Sequence, residues 1–282
     1  MKFTAYNQFV ADLGKGGIRY AAEHCSSLGF ESVEFLDFCG TATPLNKEKY
    51  PAEEVKAVLA EYGLSVACYS VYCNMHYEDR EYVEAEIRRQ IDYAAAVGSP
   101  YFHHTIIPGI KVKEGMPAYD EVFEDIAARE EALADYCAEK GISLIIEPQG
   151  LYFNGTEGLG RLFERLTSKH DNVGFCADVG NSLFVDCEPV EVFKLFAPMA
   201  KHAHAKDYIR SDEPLELKGA MRSPKGKWLY DTAIGNGCID FKGCFSELKK
   251  NGYNGSIAIE ITCNDEDTKA TIAYLKNIWN EA

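Results

Sequence analysis

No segment of this sequence is long and apolar enough to span a bilayer. Its first residues, MKFTAYNQFVADLGKGG, hold no apolar core of a secretory signal. A cytoplasmic protein is the expectation. No Cys-x-x-Cys pair occurs among the ten cysteines. Cys68, Cys176 and Cys263 lie in or beside apolar strand-like runs, and Cys25 and Cys137 on helix-like ones, so reduced, mostly buried thiols are expected rather than disulfides. Basic charge is scarce: 29 Lys and Arg stand against 44 Asp and Glu, a formal net charge of −15. Such a surface repels a polyanion, which argues against nucleic acid as the ligand. Low-complexity tracts are absent, so disorder is not expected. No Gly-x-Gly-x-x-Gly follows the first strand-like run, which weakens the case for a doubly wound open sheet.

What is present is a repeat of elements. The chain has 282 residues, 46% of them apolar, which suits one α/β barrel with a sizeable core. Apolar, strand-like runs occur at 2–7, 32–37, 64–71, 101–106, 143–148, 173–178, 200–207 and 256–262. Helical periodicity fills the gaps. Ile18, Ala21, Ala22 and Cys25 share one face, and so do Thr271, Tyr274, Leu275 and Ile278. Glycines close helices just before strands in SLGFES, EYGLSV, EKGISL and KNGYNG. Eight βα units predict a (β/α)₈ TIM barrel over residues 1–282 as a single domain. A long insertion at about 208–238 follows the seventh strand, over the catalytic face. It carries Arg210, Lys218, Arg222, Lys225 and Lys227.

In such a barrel, chemistry gathers at the C-terminal ends of the strands. The fifth run ends in Glu147, the sixth in Asp178, the seventh carries His204 and the eighth Glu260. Three carboxylates at one mouth repel each other unless a cation lies between them. A divalent metal fits three oxygens and one nitrogen: Mn²⁺ first, with Mg²⁺, Co²⁺ and Zn²⁺ as alternatives. In HAHAKDY, His202 and His204 share a face, and His202 sits one layer deeper, supporting its neighbour or packed in the core. Other polar residues near the mouth are candidates for substrate contacts. His103 and His104 adjoin on the fourth run, so only one faces the axis, and His104 is taken as that residue. Asn74 and His76 follow the third run in YCNMHY. Glu34 is either a sugar-hydroxyl ligand or a buried paired acid. Lys206 either reaches the pocket or pairs with a carboxylate. Arg210 and the other basic residues of the insertion either recognise a phosphate or carboxylate, or lie on a solvated loop.

The motifs LIIEP, FCADVGNS, HAHAKDY, IGNGCIDF and IAIEI, in this order, resemble the sugar phosphate isomerase/epimerase group of the xylose isomerase-like barrels, alongside ketohexose 3-epimerases. The resemblance covers essentially the whole chain. It implies a metal held by Glu147, Asp178, His204 and Glu260. It also implies proton transfer next to a carbonyl through an enediolate, with Glu147 and Glu260 as the catalytic pair. Epimerase-like members place a substrate-binding histidine three residues after the metal aspartate. Here that position is Asn181, which can donate and accept a hydrogen bond but carries no charge near neutral pH. The expected activity is a metal-dependent sugar or sugar phosphate isomerase or epimerase. The rival is a lyase or dehydratase on a keto-sugar or oxidised glycoside. An abasic-site endonuclease of this fold needs several metals and more ligands than seven histidines supply. A non-catalytic sugar-binding module leaves the four ligands without a purpose. The resemblance also admits a homo-oligomer, dimer or tetramer, for which Trp228 and Tyr230 are exposed-aromatic candidates.

Overall fold

The computed structural model describes residues 1–39, 46–76, 79–261 and 263–282. Strand β1 (Lys2–Ala5) leads to helix α1 (Asn7–Leu28), and β2 (Ser32–Phe38) to α2 (Asn46–Lys49) and α3 (Ala52–Glu61). Then come β3 (Ser65–Tyr72), α4 (Arg80–Ala96), β4 (Tyr101–His104), α5 (Tyr119–Glu139), β5 (Ser143–Ile146) and α6 (Gly155–Thr167). Next are β6 (Val173–Asp178), a 3₁₀ turn at Asn181–Val185, α7 (Pro189–Phe196) and β7 (Ala200–Ala205). The insertion holds β8 (Asp207–Ser211), β9 (Met221–Arg222) and β10 (Trp228–Thr232); α8 (Phe241–Lys250), β11 (Ser256–Ile259) and α9 (Asp265–Glu281) follow.

Eight parallel strands close in the order β1-β11-β7-β6-β5-β4-β3-β2. Their composition explains the closure. Every residue of VGFCAD in β6 is buried, because one face fills the barrel and the other meets helices. On α6, Leu159, Leu162, Phe163 and Leu166 are all buried, at helical spacing. Each such side chain removed from water contributes about 1.5–3 kcal/mol. The expected face of α1 (Ile18, Ala21, Ala22, Cys25) is buried. On α9, Thr271 and Leu275 are buried, but Tyr274 is 37% exposed, its ring edge-on to Phe241 at the surface. Gly29, Gly63, Gly141 and Gly252 all take the left-handed φ that turns each helix toward its strand.

The strands are shorter than the apolar runs. β5, β7 and β11 stop at Ile146, Ala205 and Ile259, so Glu147, Lys206 and Glu260 lie just past the last paired residues, where the chain leaves the ladder. Thr262, the end of the last run, lies outside the described residues.

The insertion forms its own antiparallel sheet, in the order β8-β10-β9. Asp207 fixes its return. The Asp207 carboxylate accepts the backbone N–H groups of Tyr208 (2.9 Å), Gly235 (3.0 Å), Gly237 (2.9 Å) and Ile239 (3.2 Å). A Cβ at Gly237 would lie 2.1 Å from that carboxylate, which is why the IGNGC turn carries glycine there. Asp186, in the left-handed region at φ 57°, ties the β9–β10 turn to the barrel by accepting the Ser223 hydroxyl and the Lys225 N–H. Tyr230 is buried, not exposed, and its hydroxyl accepts the Leu215 N–H at 2.6 Å. Trp228 is partly buried, with the Arg222 guanidinium over its ring. All ten cysteines are free thiols, and seven are buried. No helix among the described residues is long and apolar enough to cross a membrane.

Candidate active site

Four side chains converge at the C-terminal mouth. Glu147 follows β5, Asp178 ends β6, His204 lies near the end of β7, and Glu260 follows β11. One ligand-type atom from each lies within 4.8 Å of the others. His204 Nδ1 is 2.7 Å from Glu147 Oε1 and 3.7 Å from Glu260 Oε2. Asp178 Oδ1 accepts the N–H groups of Gly180 (2.8 Å) and Asn181 (2.6 Å), which leaves its Oδ2 toward the cluster. Glu147, Asp178 and His204 are buried; only Glu260 keeps partial exposure.

Lys206 is the cation at this cluster. Its ammonium lies 3.1 Å from Asp178 Oδ2 and 2.6 Å from Glu260 Oε2, and it donates to Asn181 Oδ1 at 2.9 Å. Burial opposes its charge, but Asp178 and Glu260 outweigh burial and hold the ammonium well above its usual range. Glu147 moves the other way from an ordinary acid. Burial, aided by Asp178, pushes its carboxyl up to about 7 against the pull of His204 and Lys206. Burial also opposes a charge on His204, yet Cys176, Glu34 and Glu147 hold its imidazole well above the usual range.

Beneath the mouth, Glu34 on β2 is fully buried, with Oε2 2.7 Å from His202 Nε2 and Oε1 3.1 Å from His204 Nε2. Burial alone would raise Glu34, but the two imidazoles keep its carboxylate well below the usual range. Above, a cavity of about 580 Å³ is lined by Asn7, Lys206, Asp231, Thr232 and Glu260, so the end of β10 shares a cleft with the cluster.

The sequence model of the xylose isomerase-like TIM barrel family matches residues 22–278. The chain belongs to that family. An inosose dehydratase from Geobacillus kaustophilus is 27% identical over 73% of this chain and 70% of its own length. A ketose 3-epimerase from Arthrobacter globiformis is 24% identical over 93% of this chain and 85% of its own. The solved structure of the IOLI protein with a bound zinc atom superposes with a TM-score of 0.75 at 14% identity, covering 100% of this chain and 99% of that one. This xylose isomerase-like barrel thus has sugar-modifying enzymes among its relatives.

Its residues suit a divalent metal. Three carboxylates and one imidazole form an oxygen-rich donor set, and Asp178 Oδ2 and Glu260 Oε2 accept no hydrogen bond among the described residues, although the Lys206 ammonium lies near both and His204 Nδ1 lies 3.7 Å from Glu260 Oε2.

Not every expected residue reaches this barrel's mouth. His104 faces outward: its Nε2 lies 3.2 Å from Glu130 on α5, with both side chains fully buried. Alternation puts His103 on the axis instead, 3.0 Å from Ser70 Oγ and 3.6 Å from Glu147 Oε2. Phe102 packs in the helix layer beside His104, and that shared face was the available sign. Arg210 pairs with Glu188 at 2.5 Å ahead of α7, away from the four-residue cluster. His76 is exposed on the loop after β3, where its N–H donates to Asn74 Oδ1 at 3.3 Å; Tyr77 beside it lies outside the described residues. Asn181 Oδ1 is taken by Lys206, and its buried Nδ2 finds no acceptor among the described residues.

The His104–Glu130 pair predicts a pH signature. Burial opposes the His104 charge, but Glu130 and the Thr105 carbonyl raise its pKa above the ordinary value. A raised folded pKa gives stability that is fully present below the unfolded value of about 6.5 and is lost as pH rises through the folded one. His104→Gln is therefore expected to cost about 1–3 kcal/mol at low pH, leaving Glu130 weakly partnered. Melting curves against pH check this: the gap between wild type and variant should narrow above about pH 6.5, and a pH-independent gap contradicts it.

Proposed function

We propose that this chain is a divalent-metal-dependent sugar isomerase or epimerase that moves a proton next to a carbonyl. The observation that carries the reading is the convergence of Glu147, Asp178, His204 and Glu260 within 4.8 Å at the barrel mouth. These four are the proposed metal ligands, for Mn²⁺ first and Mg²⁺, Co²⁺ or Zn²⁺ otherwise. A bound ion there supplies Lewis-acid polarisation of a carbonyl. Glu147 and Glu260 exchange protons with the substrate carbon. Glu147, buried and 2.7 Å from His204 at the mouth, is placed to give and take that proton. Lys206 orients Glu260 and screens its repulsion from Asp178. Asn181 Nδ2 is the proposed donor to a substrate oxygen.

The substrate is an uncharged carbohydrate. The cleft is lined by carboxylates and neutral groups, and its one lysine is committed to Asp178 and Glu260. Arg210 and Lys227 of the insertion are paired with Glu188 and Asp212. A phosphate dianion would meet more repulsion than attraction here. A second reading, loss of a hydroxyl as water after the same proton abstraction, is supported by the inosose dehydratase among the relatives.

The test is incubation of Mn²⁺-loaded protein with ketoses, ketose phosphates and an inosose in deuterium oxide. Epimerisation with deuterium at the carbon beside the carbonyl supports the first reading, and loss of water from the inosose the second. Preferential turnover of the phosphates refutes the uncharged-substrate reading. Metal-loaded protein that exchanges no proton with any of them refutes proton transfer.

A further inference from the structure

We propose that Glu34 is a positioning residue for the metal centre: it holds the proton of His204 on Nε2 and so leaves Nδ1 facing the three carboxylates. This rests on the metal reading above and deepens it. Glu34 is not at a strand end. It lies within β2, fully buried, and its Oε1 accepts the Ser70 hydroxyl at 2.6 Å as well as facing His204.

The chemistry is asymmetric. An ionised carboxylate only accepts, so each nitrogen facing it must carry a hydrogen. Both His204 nitrogens face carboxylates, Nδ1 at 2.7 Å from Glu147 and Nε2 at 3.1 Å from Glu34; a metal bound among the mouth carboxylates would displace the Nδ1 proton, while Glu34 would keep the one on Nε2. A carboxylate behind a ligating imidazole also raises its basicity. His202 completes the arrangement as the donor to Glu34 Oε2, which answers why a second histidine sits one layer down. A second arm runs from Glu34 through Ser70 Oγ to His103 Nδ1 at 3.0 Å, and His103 Nε2 lies 3.6 Å from Glu147 Oε2. One deep carboxylate thus orients groups beneath two of the four proposed ligands. Stability alone is a poor reason for it, since apolar residues fill a buried ion-pair site at equal or lower free energy.

Glu34→Gln tests this. Its carbonyl can accept from Ser70 and its amide can donate to His202 Nε2, with the His202 proton moved to Nδ1, but the negative charge that holds the His204 proton on Nε2 is gone. The variant is therefore expected to fold, with a metal-free melting temperature near that of wild type. Calorimetric titration with MnCl₂ and ZnCl₂ should show affinity reduced about 10–100-fold. A folded variant with wild-type affinity overturns the proposal. If wild type itself takes up neither metal, the metal reading fails, and this inference falls with it. If the variant does not fold, ¹⁵N-histidine-labelled wild type with Zn²⁺ decides: a His204 proton on Nε2 supports the proposal, and one on Nδ1 overturns it.

Discussion

Asp178→Asn is expected to remove metal binding while leaving the barrel folded. The amide keeps a carbonyl oxygen for the N–H groups of Gly180 and Asn181, so the turn after β6 survives. It loses the negative charge aimed at the cluster. Metal affinity should fall by more than about 100-fold, the upper range for losing a supporting hydrogen bond alone. Lewis-acid stabilisation of several kcal/mol corresponds to about three orders of magnitude in rate, and turnover should drop by at least that. The metal-free melting temperature should move by no more than about 4 °C, because Lys206 retains Glu260. Metal content by elemental mass spectrometry, beside a melting curve, separates the outcomes. A folded variant with one tightly held metal per chain would mean that Asp178 is not a ligand.

Glu260→Gln carries the second large effect. At saturating metal, kcat for epimerisation should fall about 10²–10⁴-fold, the range for one acid–base group. The informative readout is the split between two processes. Glu147 remains, buried just past the end of β5 across the mouth. It should still exchange the substrate proton with solvent on its own side. From one epimer, deuterium wash-in should therefore persist while conversion to the other epimer is lost. Equal loss of both would make Glu260 a ligand and not a proton carrier.

The residues differ in how legible they were. Each of Glu147, Asp178, His204 and Glu260 is marked by a local property, its place at the end of an apolar run that begins a βα connection. Period-two alternation put His202 on the same face as His204 without any knowledge of neighbours. The same rule could not choose between His103 and His104. On a strand buried on both faces, nothing local separates inside from outside until Ser70 on β3 and Glu130 on α5 take their places. Glu34 was ambiguous for the same reason, since its partners lie 168 and 170 residues away along the chain.

The sequence by itself therefore determined the eightfold βα order, the parallel closure and the strand-end acids, because hydrophobic period and helix-ending glycines are properties of short windows. The tertiary structure alone decided that Lys206 sits between two carboxylates from different strands, that Arg210 turns to Glu188, and that Asp207 gathers the return of the insertion. Charges choose partners by distance across the closed barrel, and that distance exists only once the eight strands have met.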